Sequence, residues 1–258
     1  MRLMKRILSA AAVLALSASL LVGCSSGTAS SVPVSASSAA ESTVSSVEET
    51  ASSAVDENEA AAAQLLNDLT GSYQELWPVI LADEYKQTWL DDCTALVGED
   101  NAEAAFEKLS SMVTSDVYGE DAVKAYANGG GAYFCGFTNS LAILTFDGET
   151  STISGTDKDG NVLFSHTYHY IGMEPVRGLY EFESDDADSG EFTYFFLAPD
   201  TSAETYHIEF RYGSDADALS QYDAGDYAYW LASGISTDCD QTMIDNCIEL
   251  FCTENLAG

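Results

Sequence analysis

The sequence predicts an α+β domain, mainly β. Helices come first, an up-and-down antiparallel sheet long enough to close into a barrel follows, and a helix ends the chain. The clearest sign is the stretch Tyr168–Leu219, which holds three strand-like runs: Gly178–Glu183, Glu191–Leu197 and Thr205–Tyr212. Each is rich in Tyr, Phe, Ile and Thr, which suit a pleated, half-buried surface. Each is bounded by turn residues, among them Asp185-Asp186-Ala187-Asp188-Ser189-Gly190 and Pro199-Asp200-Thr201-Ser202, so the three form an antiparallel meander. The second sign is a change of period at Gly129-Gly130-Gly131, with helical spacing before it and alternation after. The third is the return of helical spacing after Ser236-Thr237.

Taken in order, Met1–Gly23 has the form of a secretory signal: Arg2, Lys5 and Arg6 precede the apolar run Ile7–Val22. Leu21-Val22-Gly23-Cys24 reads as a lipobox, with Cys24 the lipidated residue. A plain signal peptide or an uncleaved anchor is the alternative, though the apolar run is short for a membrane span. Residues 24–63 form a Ser/Ala/Glu-rich tract with one proline, Pro33, and no aromatic residue. Such a tract buries too little to fold and predicts a tether. The domain proper is then 64–258, with Asn58–Leu66 a candidate for its first helical turns.

Ala60–Leu69 and Ser72–Asp92 read as helices separated by Gly71, and Pro78 starts or kinks the second. Asn101–Met112 and Glu120–Ala127 follow, with Asn101 and Ser115 as caps. Seven strands are then predicted: Ala132–Phe137, Leu141–Phe146, Ser151–Ser154, Val162–Ile171, Leu179–Glu183, Glu191–Leu197 and Thr205–Tyr212. Asp147-Gly148 and Asp159-Gly160 mark hairpin turns. Ala216–Tyr222, a Tyr/Trp-rich connection through Trp230 and the helix Asp238–Leu250 complete the chain.

On the last strand Tyr206, Ile208 and Phe210 alternate with Thr205, His207 and Glu209, giving one apolar and one polar face. With Asp200 just before it, this is where ligand-type residues converge. The same region resembles the ZinT (YodA) family, zinc-binding proteins of the periplasm or cell surface with a lipocalin-like (calycin) barrel. The matching residues are Tyr168-x-Tyr170-x-Gly172, Arg177-Gly178-x-Tyr180-x-Phe182-Glu183, Tyr194-x-Phe196, and Tyr206-His207-Ile208 followed by Gly213 and Ala218-Leu219. Upstream, Leu66–Gln74 followed by Pro78 is similar to the family's opening block, and Asp226–Trp230 to a block near its end. The resemblance covers roughly residues 64–250.

It implies a three-histidine metal site whose members fall, by position, on Asp200, Thr205 and His207, so only His207 is kept. Asp200 can ligate through oxygen, Thr205 is a poor ligand, and Glu209, on the same strand face as His207, can fill the gap. The family's His-rich N-terminal loop has no counterpart, since 25–63 contains no histidine. One imidazole with carboxylates makes a harder, weaker site than three imidazoles, nearer to what manganese or calcium accept. The implied role is extracytoplasmic capture of a divalent metal, zinc foremost, for uptake or homeostasis. The implied partner is the substrate-binding component of a metal ABC importer. The alternatives are a metal-free barrel holding a small apolar ligand, and a cell-surface interaction module.

Charge narrows the partners. Beyond residue 23, forty-two acids face six bases, which leaves −36. Phosphate contacts need clustered Lys and Arg, so nucleic acid is not an expected partner, and the membrane is reached through the lipid anchor alone. After Cys24 there remain Cys93, Cys135, Cys239, Cys247 and Cys252. Five is odd, so at least one is unpaired or pairs between molecules, and no Cys-x-x-Cys occurs. His166 and His169 share a strand but face opposite sides, which rules them out as joint ligands. Asp157–Asn161 imitates the start of an EF-hand loop but reads as a hairpin turn. The acidic run Glu183–Glu191 reads as a solvated loop. No nucleophile elbow, P-loop, His-Glu-x-x-His or dinucleotide fingerprint is present, so no enzymatic activity is expected.

Overall fold

The structure is a computed structural model and describes residues 57–113, 117–127, 133–198 and 207–256. The signal, Cys24, the tether up to residue 56, Ser115, the triple glycine, Asp200 and Thr205 lie outside the described residues.

A closed antiparallel barrel of eight strands, each paired with its sequence neighbours, forms the centre. The strands are β1 (Gly71–Glu75), β2 (Ile143–Asp147), β3 (Thr152–Thr156), β4 (Val162–Met173), β5 (Tyr180–Ser184), β6 (Tyr194–Leu197), β7 (His207–Gly213) and β8 (Ala232–Ser236). β1 pairs with β8, Tyr73 opposite Ser236, and so closes the ring. The helices are α1 over residues 57–68 before β1, α2 (Leu76–Ile80), α3 (Lys86–Val97), α4 (Glu99–Ser111) and α5 (Glu120–Ala127) between β1 and β2, the short α6 (Ala216–Leu219) between β7 and β8, and α7 (Gln241–Leu256) after β8. This is the lipocalin-like α+β architecture that the sequence predicted.

Alternation fills the barrel. Leu144, Phe146, Ile153, Phe164, Tyr168, Phe182, Phe195, Ile208, Phe210 and Tyr212 belong to its core. The rings stack in series: Phe164 on Phe192 at 4.0 Å, Phe192 on Tyr212 at 5.6 Å, and Phe195 on Tyr212 at 5.4 Å. Gly155 faces Phe164 across the β3–β4 pair, where an added Cβ would stand 2.4 Å from that ring. A second core lies against the outer wall, where Leu76, Trp77, Ile80, Trp89, Cys93, Leu109, Ile244, Cys247, Ile248 and Cys252 pack with Ile235 of β8.

Several predicted elements are corrected. Gly71–Glu75 is a strand where a helix was expected from Ser72, because Tyr73 enters the barrel core and its neighbours pair with β2 and β8. Helix begins only at Leu76, with Pro78 inside the five-residue α2. Ala232–Ser236, for which no element was expected, is the closing strand. Predicted strand 132–137 supplies only an isolated parallel bridge, Phe134 to Trp230. Asn101 is not a cap: α4 starts at Glu99 after Gly98, and the Asn101 side chain donates to the Val97 carbonyl at 3.0 Å. Residues 57–68 are helical, which takes in the candidate first turns at Asn58–Leu66, and Ala62, Leu65 and Leu66 are buried in the barrel-side core.

Candidate functional site

β7 carries two faces. Ile208, Phe210 and Tyr212 point into the barrel, so His207, Glu209 and Arg211 lie on its outer wall. Register confirms this, since His207 stands opposite Ile235 and Glu209 opposite Ser233, and Ile235 packs in the outer core. The helical layer covers this wall rather than the barrel mouth. His207, Glu209, Ser233, Cys247 and Glu254 line one side or another of a cleft of about 70 Å³ floored by Leu76, Trp77 and Phe251. A larger cavity of about 340 Å³ shares Trp77, Glu209, Ser233 and Phe251 with it and reaches Tyr133 and Arg177.

The electrostatics show the convergence of β7 and α7. Burial, then the charges of Cys239, Glu254 and Glu209, pushes the Cys247 thiol up to about 12. Burial, then Glu209, pushes the Cys135 thiol up to about 12 as well. Both thiols are therefore protonated at neutral pH and are poor metal ligands as they stand. His207 and Glu209, two residues apart on one strand face, have Cα atoms about 6.6 Å apart, a spacing that long side chains bridge onto one ion. Among the described residues, no three His, Cys, Asp or Glu side chains already stand close enough to hold a metal.

Of the residues singled out in the sequence, His207 and Glu209 come together in the cleft, while Asp200 and Thr205 lie outside the described residues. Glu254 and Cys247 were missed. They sit far along the chain on α7, and no local signal ties them to β7.

The remaining histidines behave differently. His166 Nδ1 lies 2.7 Å from Asp186 Oδ2, and His169 Nδ1 lies 2.7 Å from Asp185 Oδ1. The acidic loop after β5 is solvent-exposed, as expected, and also contacts β4 through two carboxylate–imidazole pairs. Asp157 forms the expected hairpin turn: its Oδ1 accepts from the amides of Asp159 at 2.9 Å and Asn161 at 2.8 Å. Those bonds hold the Asp157 carboxyl below the usual carboxylate range, with the Asn161 side chain the largest contributor.

Arg211 plugs the outer wall beside the site and is fully buried. It donates to the carbonyls of Leu219, Gln221 and Tyr227, and its guanidinium lies 4.3 Å over the Tyr222 ring. Burial lowers its pKa and Tyr222 raises it.

Fold and site together define a lipocalin-like barrel whose candidate cation-binding groups lie outside the barrel, under a helix. No protein-family profile matches the chain, and a search of curated proteins found no match. Among solved structures the chain is similar to the Zn(II)-bound ZinT-like domain of AdcA from Streptococcus pneumoniae. Identity is 14% over 71% of this chain and 89% of that one, with a TM-score of 0.45. It is also similar to Zn(II)-bound AdcA from the same organism, at 14% identity over 75% of this chain and 35% of the other, with a TM-score of 0.41.

Proposed function

We propose that the protein is a lipid-anchored, extracytoplasmic binding protein that captures a divalent cation, zinc foremost, for uptake or homeostasis. It is not an enzyme; the metal is cargo, passed to the substrate-binding component of an importer. The observation that carries this reading is the placement of His207 and Glu209 side by side in a cleft that Glu254 of α7 also lines. His207 supplies the nitrogen ligand and Glu209 and Glu254 the carboxylates, with Asp200 completing the set from the segment before β7. An imidazole with carboxylates is a donor set that zinc accepts. The chain's large excess of acids over bases raises the cation concentration near it.

Calorimetry tests it. Wild-type protein should bind zinc, and His207→Ala should weaken binding at least about tenfold, on the order of 1.4 kcal/mol. Thr205→His should tighten it, since residues two apart on a strand share a face. His169→Ala, on β4, should leave it unchanged. No heat in the wild type, or affinity indifferent to His207, refutes this assignment.

A further inference from the structure

We propose that Cys93 and Cys252 are joined by a disulfide that staples α3 to α7. The described cysteines beyond Cys24 all sit in the helical layer, and none is in the barrel core. Cys93 of α3 and Cys252 of α7 are 159 residues apart in sequence, yet their sulfurs face one another at 4.0 Å, and both residues are fully buried. A disulfide needs about 2.05 Å between sulfurs. The two sulfurs are already in van der Waals contact within one core, so about 2 Å of further approach closes the bond. Among the described residues no comparable contact joins Cys135, Cys239 or Cys247 to another sulfur.

The chemistry is thiol–disulfide exchange with an oxidant of the glutathione-disulfide class. One cysteine thiolate attacks the oxidant, a sulfur–sulfur bond breaks, and a mixed disulfide forms as one glutathione leaves. The second thiolate displaces the remaining glutathione. Two thiol protons and two electrons leave the protein, and two reduced glutathiones result. Both sulfurs are fully buried, so the oxidant does not reach them in the folded domain. The bond therefore forms while the domain folds, in the oxidising compartment to which the signal-like N-terminus points.

The consequence for function rests on the cation-binding reading; the bond itself does not. Cys252 adjoins Phe251 and lies two residues from Glu254 along α7, and both Phe251 and Glu254 line the cleft over His207 and Glu209. The staple fixes α7 there, so the reduced protein should hold zinc more weakly, by severalfold.

The test uses the mature chain folded in a glutathione redox buffer, alkylated with iodoacetamide under denaturing, non-reducing conditions, and mapped by mass spectrometry without metal. Of Cys93, Cys135, Cys239, Cys247 and Cys252, only Cys135, Cys239 and Cys247 should alkylate, and the Cys93 and Cys252 peptides should appear cross-linked. Alkylation of all five, a different pair, or a disulfide-linked dimer overturns the proposal. Reduction should lower Tm by roughly 10 °C in the wild type, as expected for a cross-link closing so long a loop. The Cys93→Ala/Cys252→Ala variant should show no such shift; an equal shift there overturns it too. A cross-linked protein that gives no heat with zinc would keep the staple and discard the cation reading.

Discussion

His207 and Asp92 show how far a single residue's chemistry is set by what packs on it. His207 is a ligand candidate because its strand face is covered by α7, whereas His166 and His169 are tied to Asp186 and Asp185. Asp92 lies in α3 with its Oδ2 buried and without a hydrogen-bond partner among the described residues. Burial, then the charges of Glu249, Asp245 and Asp91, holds its carboxyl above the ordinary range. An acid whose folded pKa is raised takes its proton more readily folded than unfolded. Stability from this group is therefore present below about 3.8 and is lost as pH rises through the raised folded value. Asp92→Asn should accordingly raise the urea midpoint at pH 7, and the gain should vanish below pH 3.8. An equal gain at both pH values would contradict the assignment.

At the scale of elements, the contact between α1 and the β2–β3 turn is the most constrained. The Gly148 amide donates to Thr70 Oγ1 at 3.0 Å, and a Cβ at Gly148 would stand 2.4 Å from the Asn67 backbone. Backbone cannot swing aside as a side chain can. Gly148→Ala should therefore cost roughly 1–3 kcal/mol, read by urea denaturation, because the helix must lift off the turn. A wild-type midpoint would mean that α1 does not pack there. The same reasoning explains the short α2: Tyr73 is committed to the barrel, so helix starts only once the chain reaches Leu76 and Trp77, which turn to the outer core.

At the scale of the whole molecule, the proposed function makes lipidation of Cys24 the point of attachment for a strongly acidic chain. Cys24→Ala should release the protein from the membrane fraction or block its processing, checked by fractionation and immunoblot. Normal processing with continued membrane association would show that another element anchors it. No helix among the described residues is long and apolar enough to cross a membrane.

The sequence by itself determined the meander β5–β7, the hairpin turns at Asp147-Gly148 and Asp157–Asn161, the helix Glu120–Ala127, and the shared face of His207 and Glu209. These rest on alternation and turn chemistry, which act over a few residues. Tertiary structure decided the rest. β1 and β8 carry small or polar residues with weak strand preference, and they become strands because only their pairing closes the barrel. Which side of β7 is outward, and that Glu254 and Cys247 come to face it, depends on α7 docking against β8 through Ile235, a long-range contact that no local pattern encodes. The approach of Cys93 to Cys252 was equally invisible, since their spacing along the chain says nothing of how α3 and α7 cross.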